Sequence, residues 1–162
     1  MERVLVLDLY RCVNHMLEKS NSVKFSLSLL KNKSLLETEV KNFEEASKAL
    51  PEVEAYQKDR MILLAEYGEK LENGDIKVEG NQVKLQEGKE EEFNEKIKEL
   101  NEKHNIDELD KKHLKHQEEV KELMGQDVSI DGLVAISADS LEENGITDRF
   151  CLETLFKCDL IG

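Results

Sequence analysis

The chain has 162 residues, 36% of them charged and 5% aromatic, with one proline, no tryptophan and a formal net charge of −13 at pH 7. That length suits one domain, or one with a small appendage, and the mixture favours helices with narrow apolar seams over a thick mixed core. The negative balance speaks against direct binding of nucleic acid, because a phosphate backbone calls for clustered Lys and Arg.

In chain order, Glu2 to about Lys19 predicts a first helix. Val4, Leu5, Leu9, Cys12, Val13, Met16 and Leu17 form its apolar side, opposed by Arg3, Asp8, Arg11 and Asn14. Ser20-Asn21-Ser22 ends it, and the Ser22 hydroxyl can cap the next helix. That helix is expected from Val23 to Leu50, with Leu29, Leu36 and Phe43 recurring every seven residues, Val40 between them, and Leu30 and Leu35 beside the seam. A strand reading, Val23-Phe25-Leu27-Leu29, lapses after Leu29. Pro51 either kinks this helix or opens a new one, where its missing N–H costs nothing.

Val53 to His104 reads as the stretch around which the chain is organised: helix, tight hairpin, helix. Val53, Tyr56, Arg60, Leu63 and Tyr67 step along one side, with Met61, Ile62 and Leu64 widening the apolar surface. The period then changes to two, pairing Ile76 and Val78 against Val83 and Leu85 around a Gly80-Asn81 turn, in a β-hairpin at about 75–86. Phe93, Ile97, Leu100 and His104 carry the returning helical stripe. The two helices are expected to run antiparallel and share one seam.

Asn105-Ile106-Asp107 forms a joint, and a charged helix follows from Asp107 to Met124, with Gly125 closing it. Leu109, His116, Val120 and Leu123 align on it, with His113 close by. Val128 to Ile136 is short and β-branched, expected as a strand or extended segment. A short helix from Ser137 or Ser140 to Asn144-Gly145 follows. A last helix, capped by Thr147 or Asp148, carries Phe150, Cys151, Leu152, Leu155 and Phe156, with Leu160 and Ile161 beyond. Such a cluster is buried by the chain or covered by a partner, with burial the default.

Reactive chemistry is sparse. His113, His116 and Glu119 fall on successive turns and form a candidate metal face, but the preferred reading is a solvated helix surface, and no fourth ligand is apparent. No glycine-rich phosphate loop or nucleophile elbow occurs. Cys12, Cys151 and Cys158 are odd in number and lack metal spacing, which suggests a reduced, cytoplasmic setting. Apolar surroundings should raise the thiol pKa values of Cys151 and Cys158. Val4–Leu7 is too short to span a membrane, and no signal peptide is visible. No catalytic set, cofactor or metal is therefore expected, and the chain reads as non-enzymatic.

The fold expected is mainly α: an elongated antiparallel helical bundle or coiled-coil hairpin over 1–126 with a β-hairpin insertion, and a short α/β segment over 127–162 packed on it. Carboxylates in Glu90-Glu91-Glu92 and at Glu118, Glu119 and Glu122 are the candidate partner-binding residues. The plain reading of these charges is that they keep a thin helical protein in solution. They also suit a basic protein partner and can imitate a DNA backbone towards a nucleic-acid-binding protein.

The run EAYQKDRMILLAEY (54–67), the hairpin ENGDIKVEGNQVKL (72–85), FNEKIKEL (93–100) and the closing ISADSL, IT and LETL segments resemble a group of small phage and prophage proteins. The helix from Asp107 to Met124 is an addition to that pattern. The resemblance implies origin and class, and no activity or residue role comes with it. The function expected is a phage-encoded inhibitor acting in the host cytoplasm by occupying a host protein, either a defence protein or a nucleic-acid-binding one. A virion assembly or tail accessory protein, or a metal-binding protein, are the alternatives, and association with a second copy of the chain is a further expectation.

Overall fold

The computed structural model describes residues 1–80 and 82–162; Asn81, half of the expected Gly80-Asn81 turn, lies outside the described residues. Among the described residues the chain is mainly helical. It forms α1 (Arg3–Lys19), α2 (Val23–Ala46), α3 (Pro51–Tyr67), α4 (Glu90–Lys103), α5 (Ile106–Gly125), α6 (Ala138–Glu143) and α7 (Arg149–Lys157), with one antiparallel strand pair, β1 (Val78–Glu79) and β2 (Gln82–Val83). Two compact units result, one made of Met1–Lys48 with Glu119–Gly162 and the other of Ala49–Glu118. None of the described helices is long and apolar enough to cross a membrane.

The first unit holds the thicker core, although the sequence placed the organising stretch at Val53–His104. Val6, Leu9, Cys12, Val13 and Met16 of α1 are completely buried. Their three- and four-residue spacing widens to a broad arc because α1 packs against both α2 and α7. Phe25, Leu29 and Leu36 of α2, then Ile136, Leu141, Ile146, Cys151, Leu155 and Leu160, complete the same cluster. The tail from residue 127 thus shares its core with α1 and α2.

Local chemistry sets the boundaries. The Ser22 hydroxyl accepts from the Phe25 N–H, Ser137 from Ser140, and Asp148 from Cys151, so each helix start has a side-chain acceptor for an N–H with no partner inside the helix. The second helix stops at Ala46, short of the expected Leu50, and Pro51 opens α3 in the first turn. The segment after α5 is not a strand. It touches the rest through isolated bridges, Asp127 to Glu2 and Ile136 in parallel to Ile161.

Two long-range polar contacts tie this unit together. Asn32 is fully buried on α2; its Nδ2 donates to the Val134 carbonyl at 2.9 Å, and its Oδ1 accepts from the Val134 N–H at 2.7 Å. An amide side chain here does for the tail what a neighbouring strand would do. Arg3, placed by periodicity on the polar side of α1, donates from Nε to Glu39 at 2.5 Å and from Nη1 to the Leu123 carbonyl at 2.5 Å. It therefore joins α1 to α2 and to a carbonyl in the last turn of α5, which also accepts from the Gln126 N–H.

In the second unit α3 and α4 run antiparallel, as the contacts Tyr56–Asn101, Asp59–Lys103 and Tyr67–Glu92 require. Tyr67 and Leu100 are buried between them, and the rings of Tyr67 and Phe93 lie 5.8 Å apart. Met61, Ile62 and Arg60 are exposed, so the apolar surface of α3 extends beyond its seam. The β finger pairs Val78 with Val83 and Glu79 with Gln82. The chain leaving α3 joins it as a third element: Glu69 N–H donates to the Lys84 carbonyl and Lys77 N–H to the Glu69 carbonyl, both at 2.7 Å.

Gly68 makes that entry possible by its small size. A Cβ there would lie 2.6 Å from the Leu64 carbonyl oxygen and 2.7 Å from Ile76 Cγ2. Gly68→Ala is expected to cost about 1–3 kcal/mol through overpacking. Amide exchange at Lys77 and Lys84 should quicken in that variant; unchanged exchange would show that the finger tolerates the methyl group.

Candidate functional site

The inward stripe of α4, Phe93, Ile97, Leu100 and His104, fixes which carboxylates face away. At 100° per residue the opposite side carries Glu91, Glu95, Lys98 and Glu102, and all four are exposed. Three carboxylates against one ammonium make this a negatively charged edge. In the first turn, Glu90, Glu91 and Glu92 lie at the positive end of the helix dipole, where acidic side chains stabilise a helix.

Glu92 has a second task. Its Oε1 accepts from the Tyr67 hydroxyl at 3.0 Å and its Oε2 from Lys89 at 2.6 Å. Lys89 and then Tyr67 hold its carboxyl below the ordinary range, while burial, with Glu92 beside it, raises the Tyr67 phenol. All three expected residues are exposed, and Glu92 in addition serves the α3–α4 seam through Tyr67. Glu95 and Glu102, absent from the expected set, continue the outer face. The signal for them was in the sequence, as the residues opposite the Phe93–Leu100 stripe.

Other carboxylates of this unit are engaged in the same way. Asp59 Oδ2 receives Lys103 at 2.8 Å and lies 2.9 Å from His104 Nε2, against which the Tyr56 ring packs edge-on at 5.6 Å. Lys103 first, then His104, lowers the Asp59 pKa; Lys84 and then Lys77 do so for Glu69. A depressed folded pKa stabilises above the unfolded value, near pH 4, and that contribution is lost as pH falls through the folded value. Acid below about pH 4 should therefore loosen the α3–α4 pair. In a Tyr10→Phe background, the near-ultraviolet circular dichroism of Tyr56 and Tyr67 should hold at pH 6 and fall on acidification. A flat signal down to about pH 2 would contradict these pairings.

Glu118, Glu119 and Glu122 are exposed on α5, with the division between the two units falling after Glu118. The histidines are placed differently. His113 is half-buried, its Nδ1 buried without a hydrogen-bond partner and its Nε2 3.0 Å from the Gln117 amide nitrogen. Among the described residues no three His, Cys, Asp or Glu side chains are grouped to hold a metal ion, so His113, His116 and Glu119 do not assemble the candidate metal face.

The cysteines are reduced and packed. Cys12 and Cys151 are buried beside each other, and burial raises both thiols; Cys158, half-buried, is pushed up to about 11. Thiols held this far above neutral pH are poor nucleophiles. The tail cluster divides: Cys151, Leu155 and Leu160 are buried, whereas Phe150, Phe156 and Ile161 remain exposed. No family model, curated protein or solved structure matches the chain.

Proposed function

We propose that this is a non-catalytic, phage-encoded protein-binding factor that acts in the host cytoplasm. In this reading α3 and α4 form a coiled-coil-like arm, and the outer acidic face of α4 docks on a basic patch of a host protein, most simply a defence nuclease or another nucleic-acid-binding protein. The observation that carries the reading is the row Glu91, Glu95 and Glu102, exposed on a helix whose other side is fixed by packing. A rigid row of charges binds a complementary surface without first having to be ordered.

Charge density narrows the mode of binding. Glu91 to Glu102 spans 11 steps of helix, about 16 Å at 1.5 Å per residue. A duplex carries roughly ten charges over such a length, so this face suits ordinary pairing with Lys and Arg better than close imitation of DNA. A virion assembly role is the second reading, favoured by the exposed Phe150, Phe156 and Ile161 at the tail.

Affinity capture from infected host cells separates the two: a basic host protein supports inhibition, and phage structural proteins alone support assembly. Reversing Glu91, Glu95 and Glu102 to lysine should weaken the captured complex by about tenfold or more, since exposed pairs contribute roughly 0.2–1 kcal/mol each. The helical circular dichroism should be unchanged. Unaltered affinity would remove the α4 face from the proposal, and the same reversal at Glu118 and Glu122 tests the α5 run.

A further inference from the structure

A second surface, in the first unit and of opposite charge, lies on the outward side of α2. Val23, Leu27 and Leu30 are 78%, 61% and 50% exposed. Their i, i+4, i+7 spacing puts them in one line along the helix, across from the buried Phe25, Leu29, Asn32, Leu36 and Val40. The sequence reading placed Leu30 beside the buried seam; the structure turns it outward. Helix α2 is thus apolar on two sides, only one of which the chain itself covers.

The flank of this stripe is basic. Lys24 follows Val23 and Lys31 follows Leu30, so both stand on the same side of the line, and among the described residues neither side chain meets a carboxylate. From Lys19 to Leu36 the chain has four lysines and no Asp or Glu, within a protein of net charge −13. The platform is rigid: Ser22 caps its first turn, Asn32 anchors its far side to Val134, and Lys33 lies over the Tyr10 ring at 5.8 Å.

We propose that this stripe docks an amphipathic helix of a partner protein, its apolar residues seated on Val23, Leu27 and Leu30 and its carboxylates paired with Lys24 and Lys31. Three anchors at this spacing match the side-chain row of a single helix. A second copy of the chain fits worse, because antiparallel pairing on the same stripe sets the lysines of both copies on one flank. An anionic membrane fits worse too. A bilayer surface meets the repulsion of the whole acidic chain, whereas a docked helix senses mainly charges within a Debye length of about 8 Å.

The inference is independent of the α4 face and is tested on the intact chain. Two labelled helical peptides with leucines at i, i+4 and i+7, one flanked by glutamates and one by lysines, are titrated by fluorescence anisotropy at low salt. The acidic peptide should bind at least about tenfold more tightly than the basic one. Leu27→Ser should weaken it by about tenfold, and Lys24→Glu with Lys31→Glu should reverse the preference, while reversal of the α4 glutamates changes neither. Equal binding of the two peptides, or binding indifferent to Leu27, would overturn the proposal. So would a dimer in sedimentation that Leu27→Ser dissolves, or Leu27-dependent binding to phosphatidylserine vesicles, since either assigns the stripe to another occupant.

Discussion

Leu29→Ala should lower the stability of the chain by about 2–5 kcal/mol, whereas Leu27→Ala, two residues away on the same helix, should change it by less than about 0.5 kcal/mol. The contrast follows from geometry. Two residues turn an α-helix through about 200°, so Leu29 points into the cluster with α1 and α7 while Leu27 points to solvent. Removing three carbons from a completely buried leucine loses transfer free energy and leaves a cavity that a close-packed core fills only in part. Urea unfolding of both variants measures the pair of effects. Equal losses would mean that Leu27 and Leu29 share a face, as in the strand reading of Val23-Phe25-Leu27-Leu29.

Asn32 is the second site of large effect. Asn32→Ala leaves the N–H and carbonyl of Val134 without their partners; at about 1–3 kcal/mol for each such group, and with Val134 only half-buried, a loss of about 2–4 kcal/mol is expected. Asn32→Asp is the sharper variant because its shape is conserved. One carboxylate oxygen can still accept from the Val134 N–H, but the other faces the Val134 carbonyl and no longer donates. The ionised form is thus disfavoured in the folded chain, and the folded pKa of the new carboxyl lies above its unfolded value near about 4. The sign follows: the variant is least impaired below that unfolded value and loses stability as pH rises through the folded one. Urea midpoints at acidic and neutral pH, each compared with wild type, should show the deficit growing towards neutrality. A deficit independent of pH would mean that the amide does not donate to Val134.

These two residues also mark what could be read from the sequence. Leu29 announces itself through periodicity, as does the Phe93–Leu100 stripe, and the Ser22 cap through its residue type ahead of an apolar run. Asn32 and Arg3 do not. Their partners lie 102 and 120 residues away, and a polar residue within a helix carries no mark of a distant backbone. The place of the core was hidden for a related reason. Helix α3 is apolar on several sides and drew weight towards the 53–104 stretch, while α1, shorter in apparent promise, has two packing neighbours and buries a wider arc.

At the candidate site, the exposed acidic run was legible from composition alone. That Glu92 would be taken up by Tyr67 was not, because it depends on the register in which α3 meets α4. The outer row with Glu95 and Glu102 becomes visible only once the inward stripe is fixed. The stripe on α2 was obscured by the neighbouring heptad, whose buried positions absorbed Leu30 into the same seam.

The most direct test of the functional account is the affinity of the wild-type chain for its captured host partner, measured across a salt series. A complex held by the α4 carboxylates should weaken steadily as added salt shortens the screening length from about 30 Å at 0.01 M to about 8 Å at 0.15 M, and should weaken less in the lysine-reversed variant. An affinity that stays level across that series, or falls equally in both proteins, would contradict it.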